Sequence, residues 1–427
     1  MDVDVVSVEP VRSLLAGEGM PERLNHESHE PLHVAYSFPT RLGVTGIGMI
    51  GWHQVSGLVE LGVRVTLYCG SCERPIPGLH RLVETMNYHG VPIPYRVLGN
   101  DRAFRWHDAV VANHLERTAD PVNVVHCWPL GAERTLTVAR KRGIASCLER
   151  PNAHTAFAYE AVARESQRLG LPVPRKHTHA FNRKRLAREE REYRLADRLL
   201  CPSEFVAHTF RERDYPLQSI VRHQYGYDPH RFFPASDRQV RTNGAAHPAL
   251  RFLYAGRCEP RKGLHFALEA WKRAGIGDQH ELLIAGDFVP GYREYLGDLL
   301  AQPGVRHLGF VDDMPGLMRE CDVFVLSSVE EGSALVTYEA RGSGNVLLVS
   351  DSTGAICENG HDALVHGTAD VEQLARQMQA MASSDDKLRR QLRERSLAGA
   401  SELTWSVASR RLRQVYLDVQ HDRAEHA

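Results

Sequence analysis

The chain has 427 residues, 43% of them hydrophobic and 25% charged, with a formal net charge of −1. That length exceeds what one core supports and predicts two domains of about 200 residues each in an ordinary soluble protein. The near-zero charge excludes a broad basic field for nucleic acid, and no apolar run nears the ~20 residues that cross a bilayer. The start, Met1-Asp2-Val3-Asp4, lacks the basic-then-apolar pattern of a signal peptide, so a cytoplasmic protein is expected. Residues 1–30 are polar and aperiodic and read as a flexible arm.

His33 to Phe38 is the first strand expected. A glycine-rich loop follows, Gly43 to Gly51, then a helix to about Leu61 and a second strand from Val63 to Cys69. This βαβ pattern with G-x-G-x-x-G suits a dinucleotide site, which wants a carboxylate ending the second strand. Leu67-Tyr68-Cys69-Gly70 offers none. Cys69 and Cys72 form a lone C-x-x-C without further ligands at zinc spacing, and Pro75 and Pro77 follow where a redox helix would start. The other six cysteines are scattered among apolar residues and read as reduced core thiols.

Val124 to Trp128 and Ala145 to Leu148 read as further strands, the latter leading into Glu149-Arg150-Pro151-Asn152-Ala153-His154-Thr155. An exposed Arg and His at a strand end fit a loop that meets a ligand, although 23 histidines make any one of them unremarkable. Residues 175–198 are dense in Arg and Lys with Glu189, Glu190 and Glu192 interleaved. Two readings stand: a solvated helix laced with i,i+4 ion pairs, or a basic face meeting anionic lipid in weak peripheral contact, at the inner face of a membrane. Ala235 to Pro248 is polar and aperiodic, a natural linker.

The second half opens with a strand, Phe252 to Arg257, then Cys258 to Gly263 and a helix to about Lys272. Arg257 leaves a strand end and Lys262 precedes a helix, so both can aim above the carboxyl edge of a sheet, where open α/β folds bind ligands. Cys321 to Ser328 reads as a buried strand, and Ala334 to Ala340 as a helix with Ser333 as its N-cap. Glu331 therefore sits on a strand-to-helix loop, and Glu339 lies about 9 Å along the helix. Between them the helix start offers free N–H groups. Two carboxylates flanking an anion site suit a ligand with hydroxyls at both ends and phosphates between, as in a nucleotide sugar.

The stretch from Glu331-Gly332 to Glu339-Ala340 resembles the Glu, seven residues, Glu signature of retaining glycosyltransferases of the GT-B fold, family four. The likeness runs from about Leu32 to Val419 and is stronger in the second half. It implies an α/β protein of two Rossmann-like, doubly wound domains facing across a cleft. The boundaries it suggests are an arm at 1–30, an acceptor domain at 31–228, a linker at 229–250 and a nucleotide-sugar domain at 251–405. Residues 406–427 would form a helix packing back on the first domain, then a tail. By the same resemblance, Arg257 and Lys262 hold the donor diphosphate, Glu331 the donor sugar and Glu339 the ribose. His154, matching a family histidine near the donor sugar, completes the catalytic set. Ser333, Ala334, Leu335, Gly256, Gly309, Val311 and Gly46 would line the donor. Gly226-Tyr227-Asp228 resembles the family's hinge, and Asn345 stands where it usually has Pro.

The implied activity is transfer of a sugar from a nucleotide-diphosphate donor to an acceptor hydroxyl of a glycan, lipid or small molecule, with retention. No cofactor and no metal is expected, because the D-x-D triplet Asp2-Val3-Asp4 lies in the arm rather than at a strand end. Two alternatives remain: a nucleotide-sugar epimerase of the same fold and an NAD(P)-dependent oxidoreductase.

Overall fold

The computed structural model describes residues 32–88, 91–93, 98–174, 177–235 and 249–425. The expected arm, its D-x-D triplet, Arg175, Lys176 and most of the linker lie outside the described residues. Two parallel sheets form the frame. The first has the strands β1 (His33–Leu42), β2 (Arg64–Cys72) and β3 (Arg81–Glu84). After a small hairpin, β4 (Asn87–Tyr88) and β5 (Val91–Pro92), it continues with β6 (Val124–Cys127), β7 (Ala145–Glu149), β8 (Arg198–Cys201) and β9 (Ile220–Arg222). The order across it is β3-β2-β1-β6-β7-β8-β9. The second sheet has β10 (Arg251–Ala255), β11 (Glu281–Ala285), β12 (Val305–Gly309), β13 (Val323–Leu326), β14 (Val346–Ser350) and β15 (Ala363–His366). Its order, β12-β11-β10-β13-β14-β15, is the doubly wound arrangement. The central strands are buried on both faces, as helices on either side require, and hence read as unbroken apolar runs.

The first sheet is flanked by α1 (Ile47–Glu60), α2 (Asn100–Arg117), α3 (Glu133–Lys141), α4 (Thr155–Leu169), α5 (Arg183–Leu195) and α6 (Glu204–Arg211). Around the second lie α7 (Leu264–Ala274), α8 (Tyr292–Leu296), α9 (Met314–Glu320), α10 (Leu335–Gly342), α11 (Val371–Ala382) and α12 (Lys387–Ala400). The last helix, α13 (Trp405–Glu425), crosses back to the first sheet: Tyr416 bonds His126 Nδ1 at 2.7 Å, and Arg423 bonds Asp197 at 2.8 Å. Under it, the fully buried Glu149 carboxylate accepts from Gln54 at 3.0 Å, His223 at 2.8 Å and Tyr225 at 3.0 Å. A buried ion satisfied on this many sides is the arrangement that low dielectric demands.

Three local features differ from the sequence reading. β2 runs three residues further than expected, so a carboxylate, Glu73, does follow it. That carboxylate is engaged by Ser71 at 2.8 Å and Arg41 at 3.0 Å. The helix after Glu331 begins at Leu335, and Ser333 is not its cap: its hydroxyl bonds Tyr338 at 2.7 Å and the Gly354 carbonyl at 3.2 Å. Asn345, in place of a proline, uses its Nδ2 to donate to the carbonyls of Met318 and Cys321, tying the end of α9 to the start of β14.

Candidate functional site

In the second sheet, chain order reverses between β10 and β13, which are neighbours. A crevice at such a switch point lies outside the carboxyl ends of the strands, and both charged segments singled out in the sequence start there. From β10 the chain passes Arg257 into a 3₁₀ turn, Pro260–Lys262, and then α7. Gly263 joins the two at φ +68°, where a Cβ would stand 1.8 Å from the Ser327 carbonyl oxygen. Only glycine lets the turn approach β13 so closely. From β13 the chain passes Glu330 and Glu331 into α10.

These two loops interlock. Lys262 Nζ contacts Glu331 Oε1 directly. The Arg261 guanidinium reaches Glu331 at 3.0 Å, the Glu330 carbonyl at 2.7 Å and Glu259 at 3.1 Å. Burial opposes charge on Arg261, but the Glu331, Glu330 and Glu259 carboxylates outweigh it and raise its pKa. Glu330 is fully buried; burial raises its pKa, with Arg261 pulling the other way. Glu339, further along α10, is pushed up to about 7 by burial, with the Arg231 charge opposing. Arg257 is exposed at the mouth of a cavity of about 320 Å³ that the first domain's Leu171 and Val173 also line.

The first domain closes on this cluster. The Ala153 N–H donates to Glu330 at 3.3 Å, and Ser203 Oγ donates to the Gly332 carbonyl. His177 Nε2 lies 3.0 Å from Glu259, and His179 Nε2 lies 3.4 Å from Glu330. Sequence reasoning missed Arg261, Glu330, Glu259, His177 and His179. The signals available were modest: Arg261 and Glu330 adjoin motif residues, and His177-Thr178-His179 places two imidazoles two residues apart.

Of the expected catalytic residues, the structure brings Lys262 and Glu331 into contact, with Arg257 leaving the adjacent strand end. His154 directly follows Ala153, whose N–H donates to Glu330, yet its side chain packs into the first domain. Its ring is caged by Tyr193, Phe210 and Tyr215 at 5.1 to 5.6 Å, and its Nδ1 caps α4 by accepting from the Ala156 N–H. Burial, with Arg150, Arg213 and Arg194 adding, pushes its pKa down to about 3. Arg150, expected to be exposed, is fully buried, its guanidinium 4.2 Å over the Tyr193 ring. Both side chains were drawn into the core by a dense aromatic cluster that their loop position did not disclose.

Among the donor-lining candidates, Ser333 and Ala334 are buried, and Leu335 and Val311 are half-buried. Gly256 directly follows β10 and Gly309 ends β12, both at positive φ. Gly46 is exposed at the start of α1 on the first domain. The basic run on α5 is largely answered by acids: Arg188 pairs with Asp101 at 2.7 Å, Arg191 with Glu133 at 2.7 Å and Arg185 with Glu189 at 3.3 Å. A cavity of about 760 Å³ beside that run is lined by α2, α3 and α5, and none of the cleft cluster borders it. Among the described residues, one His/Asp group has ligand spacing, His33, His80 and Asp120. It sits at the opposite, amino end of β1, with the Arg64 guanidinium 2.9 Å from both His80 and Asp120.

Residues 249–384 match the family described as Glycosyl transferases group 1. One curated relative is the N,N'-diacetylbacillosaminyl-diphospho-undecaprenol alpha-1,3-N-acetylgalactosaminyltransferase of Campylobacter jejuni, 28% identical over 121 residues, or 28% of this chain and 32% of the relative. The first relatives found are thus spanned over about a third of their length, 31% and 32%. Among solved structures, sucrose-phosphate synthase from Thermosynechococcus elongatus superposes with a TM-score of 0.66 at 16% identity, covering 91% of this chain and 99% of the other. HepE from Anabaena, in complex with UDP and glucose, gives 0.61 at 14% identity, covering 91% and 100%. At such identities the likeness concerns the fold, and the fold is GT-B.

Proposed function

We propose that this chain, a GT-B protein of the glycosyl transferases group 1, moves a sugar from a nucleoside-diphosphate donor to an acceptor hydroxyl with retention at the anomeric carbon. The observation that carries this reading is the Arg261–Lys262–Glu331 cluster beside Arg257 at the switch point of the second sheet. Cations and a carboxylate from two adjacent strand ends converge there. As the glycosidic bond to phosphate breaks, charge accumulates on the diphosphate. Lys262 and Arg257 then stabilise the transition state more than the ground state. Donor binding exchanges the Lys262–Glu331 contact for Lys262–phosphate and leaves Glu331 to accept from the sugar hydroxyls. Glu339, half-buried on the first turns of α10, accepts from the ribose in this reading. In this reading the departing phosphate takes the acceptor's proton, and no protein base is needed.

The Campylobacter relative's name includes a diphospho-undecaprenol acceptor, and the HepE structure holds UDP and glucose. They support beginning with UDP-sugars and with glycan, lipid-linked or small-molecule acceptors. Among the described residues no helix is long and apolar enough to cross a membrane. The test is thermal-shift titration with UDP, GDP and ADP, followed by nucleotide release from UDP-glucose, GDP-mannose and ADP-glucose. Stabilisation by one diphosphate and turnover of its sugar are expected. Stabilisation by NAD(P)H and by none of the three diphosphates overturns the reading in favour of an oxidoreductase.

A further inference from the structure

The two histidines that reach the cluster from the first domain occupy no position that the transferase motifs assign. His177 and His179 lie in the loop before α5, and their partners Glu259 and Glu330 lie in the second domain, one before the Pro260–Lys262 turn and one after β13. Their tautomers follow from the bonds made by the other ring nitrogen. The His179 backbone N–H donates to His177 Nδ1 at 3.1 Å, so His177 must accept there and carry its proton on Nε2. Thr178 Oγ1 lies 3.2 Å from His179 Nδ1 and is able to donate to it. His177 thus presents its protonated Nε2 to Glu259, and with Thr178 donating at Nδ1 the His179 Nε2–H faces Glu330 in a 3.4 Å contact. Burial, with Arg261 and His177 adding, holds the His179 pKa down near 3, so this ring stands as neutral imidazole beside Glu330.

What those carboxylates do next gives the pair its importance. Glu259 and Glu330 both contact the Arg261 guanidinium, at 3.1 and 3.4 Å, and Arg261 bonds Glu331, which contacts Lys262. We propose that His177 and His179 are positioning residues of the transfer site: through Glu259 and Glu330 they hold Arg261, and with it the Glu331–Lys262 pair, when the two domains are together. This rests on the transferase reading above. When the domains part, both carboxylates lose their imidazole partners while Arg261 keeps three acids around it. The guanidinium is then free to settle among them differently, and Glu331 shifts with it. Domain closure thereby orders the donor cations. The charged groups facing the two rings are Glu259, Glu330, Arg261 and Arg185. The same kind of contact recurs deeper in the interface, where Glu165 of α4 meets His265 Nε2 at 2.8 Å.

The test compares glutamine, whose amide keeps an N–H near the Nε2 position, with leucine, which fills the space without a donor. Turnover is read as diphosphate released from UDP-glucose, GDP-mannose and ADP-glucose with water as acceptor, so no acceptor need be known. His177→Leu and His179→Leu should each lower kcat about tenfold while the donor KM moves less than about threefold, the pattern of a site misaligned after binding. His177→Gln and His179→Gln should recover most of the rate. In a Glu330→Gln background, His179→Leu should cost little more, because the imidazole acts through that carboxylate. If a leucine variant does not fold, asparagine, which withdraws the N–H from the carboxylate, replaces it with the same expected loss. Leucine variants that turn over at the wild-type rate overturn the proposal, as does a loss that glutamine fails to recover or that adds fully to Glu330→Gln. Wild-type protein that binds none of the diphosphates and releases none overturns the transferase reading, and the positioning role falls with it.

Discussion

Lys262 and Glu331 form a contact that the donor opens in the proposed reading, so their contributions fall on different steps. Lys262→Ala should lower kcat on the order of 100-fold, as removal of a charge aimed at the departing group does. Donor affinity should weaken by less than about tenfold, since the ground-state diphosphate is held by other groups too. Steady-state rates beside calorimetric donor binding separate the two, and equal losses would make Lys262 a binding residue alone. Glu339 gives a pH signature. Its folded pKa is raised from 4.5 to about 7, so folding retains its proton, and the stability from that proton falls as pH rises from 4.5 towards 7. Ribose hydroxyls donate more strongly to a carboxylate than to its acid form. Affinity for the nucleoside diphosphate should therefore rise with pH and level off above about 7. The same titration with Glu339→Gln should keep only the slope that the ligand's own terminal phosphate gives; the full wild-type slope retained in that variant would remove Glu339 from the ribose site.

At the scale of elements, the loop between β13 and α10 owes its place to an absent side chain. A Cβ on Gly332 would stand 1.6 Å from the Pro151 carbonyl oxygen, across the interface between the domains. Two backbones meet there, so no rotamer change relieves the clash. Gly332→Ala should push the loops apart by an ångström or more and cost on the order of 100-fold in turnover, the scale of a small misplacement of reacting groups. Circular dichroism should show both folded domains intact, because the clash lies between them and in neither core. Undiminished turnover would mean that the observed closure is not the working state. The three-residue extension of β2 and the late start of α10 also belong to this scale. Each was settled by contacts from outside the segment, from Arg41 and Leu42 of β1 in one case and from Gly354 in the other.

For the whole molecule, the two sheets and their cleft decide where compensating charge comes from. Arg257 and Lys262 follow β10 and the first turn of α10 follows the neighbouring β13, which in the proposed reading serves a diphosphate without a divalent ion. Diphosphate release should persist in excess EDTA. If chelation stops it and Mg²⁺ or Mn²⁺ restores it, the charge assignment is wrong even with the fold right.

The doubly wound halves were legible in the chain because buried parallel strands are compact apolar runs, as in Phe252 to Ala255 and Val323 to Leu326, and such runs depend on local composition. The positions in the fold of Arg257, Lys262, Glu331 and Glu339 were legible because each follows from spacing along one strand, loop or helix, while their roles belong to the proposal. The positions of His154 and Arg150 were not. Whether a polar residue at a strand end faces the cleft or the core depends on what packs beside it, and Tyr193, Phe210 and Tyr215 lie about 40 to 60 residues away in sequence. The pairing of Glu259 and Glu330 with His177 and His179 likewise exists only once two domains meet. A contact whose partners are separated by 82 or 151 residues leaves no periodicity and no short motif in the chain; tertiary structure alone brings the atoms together.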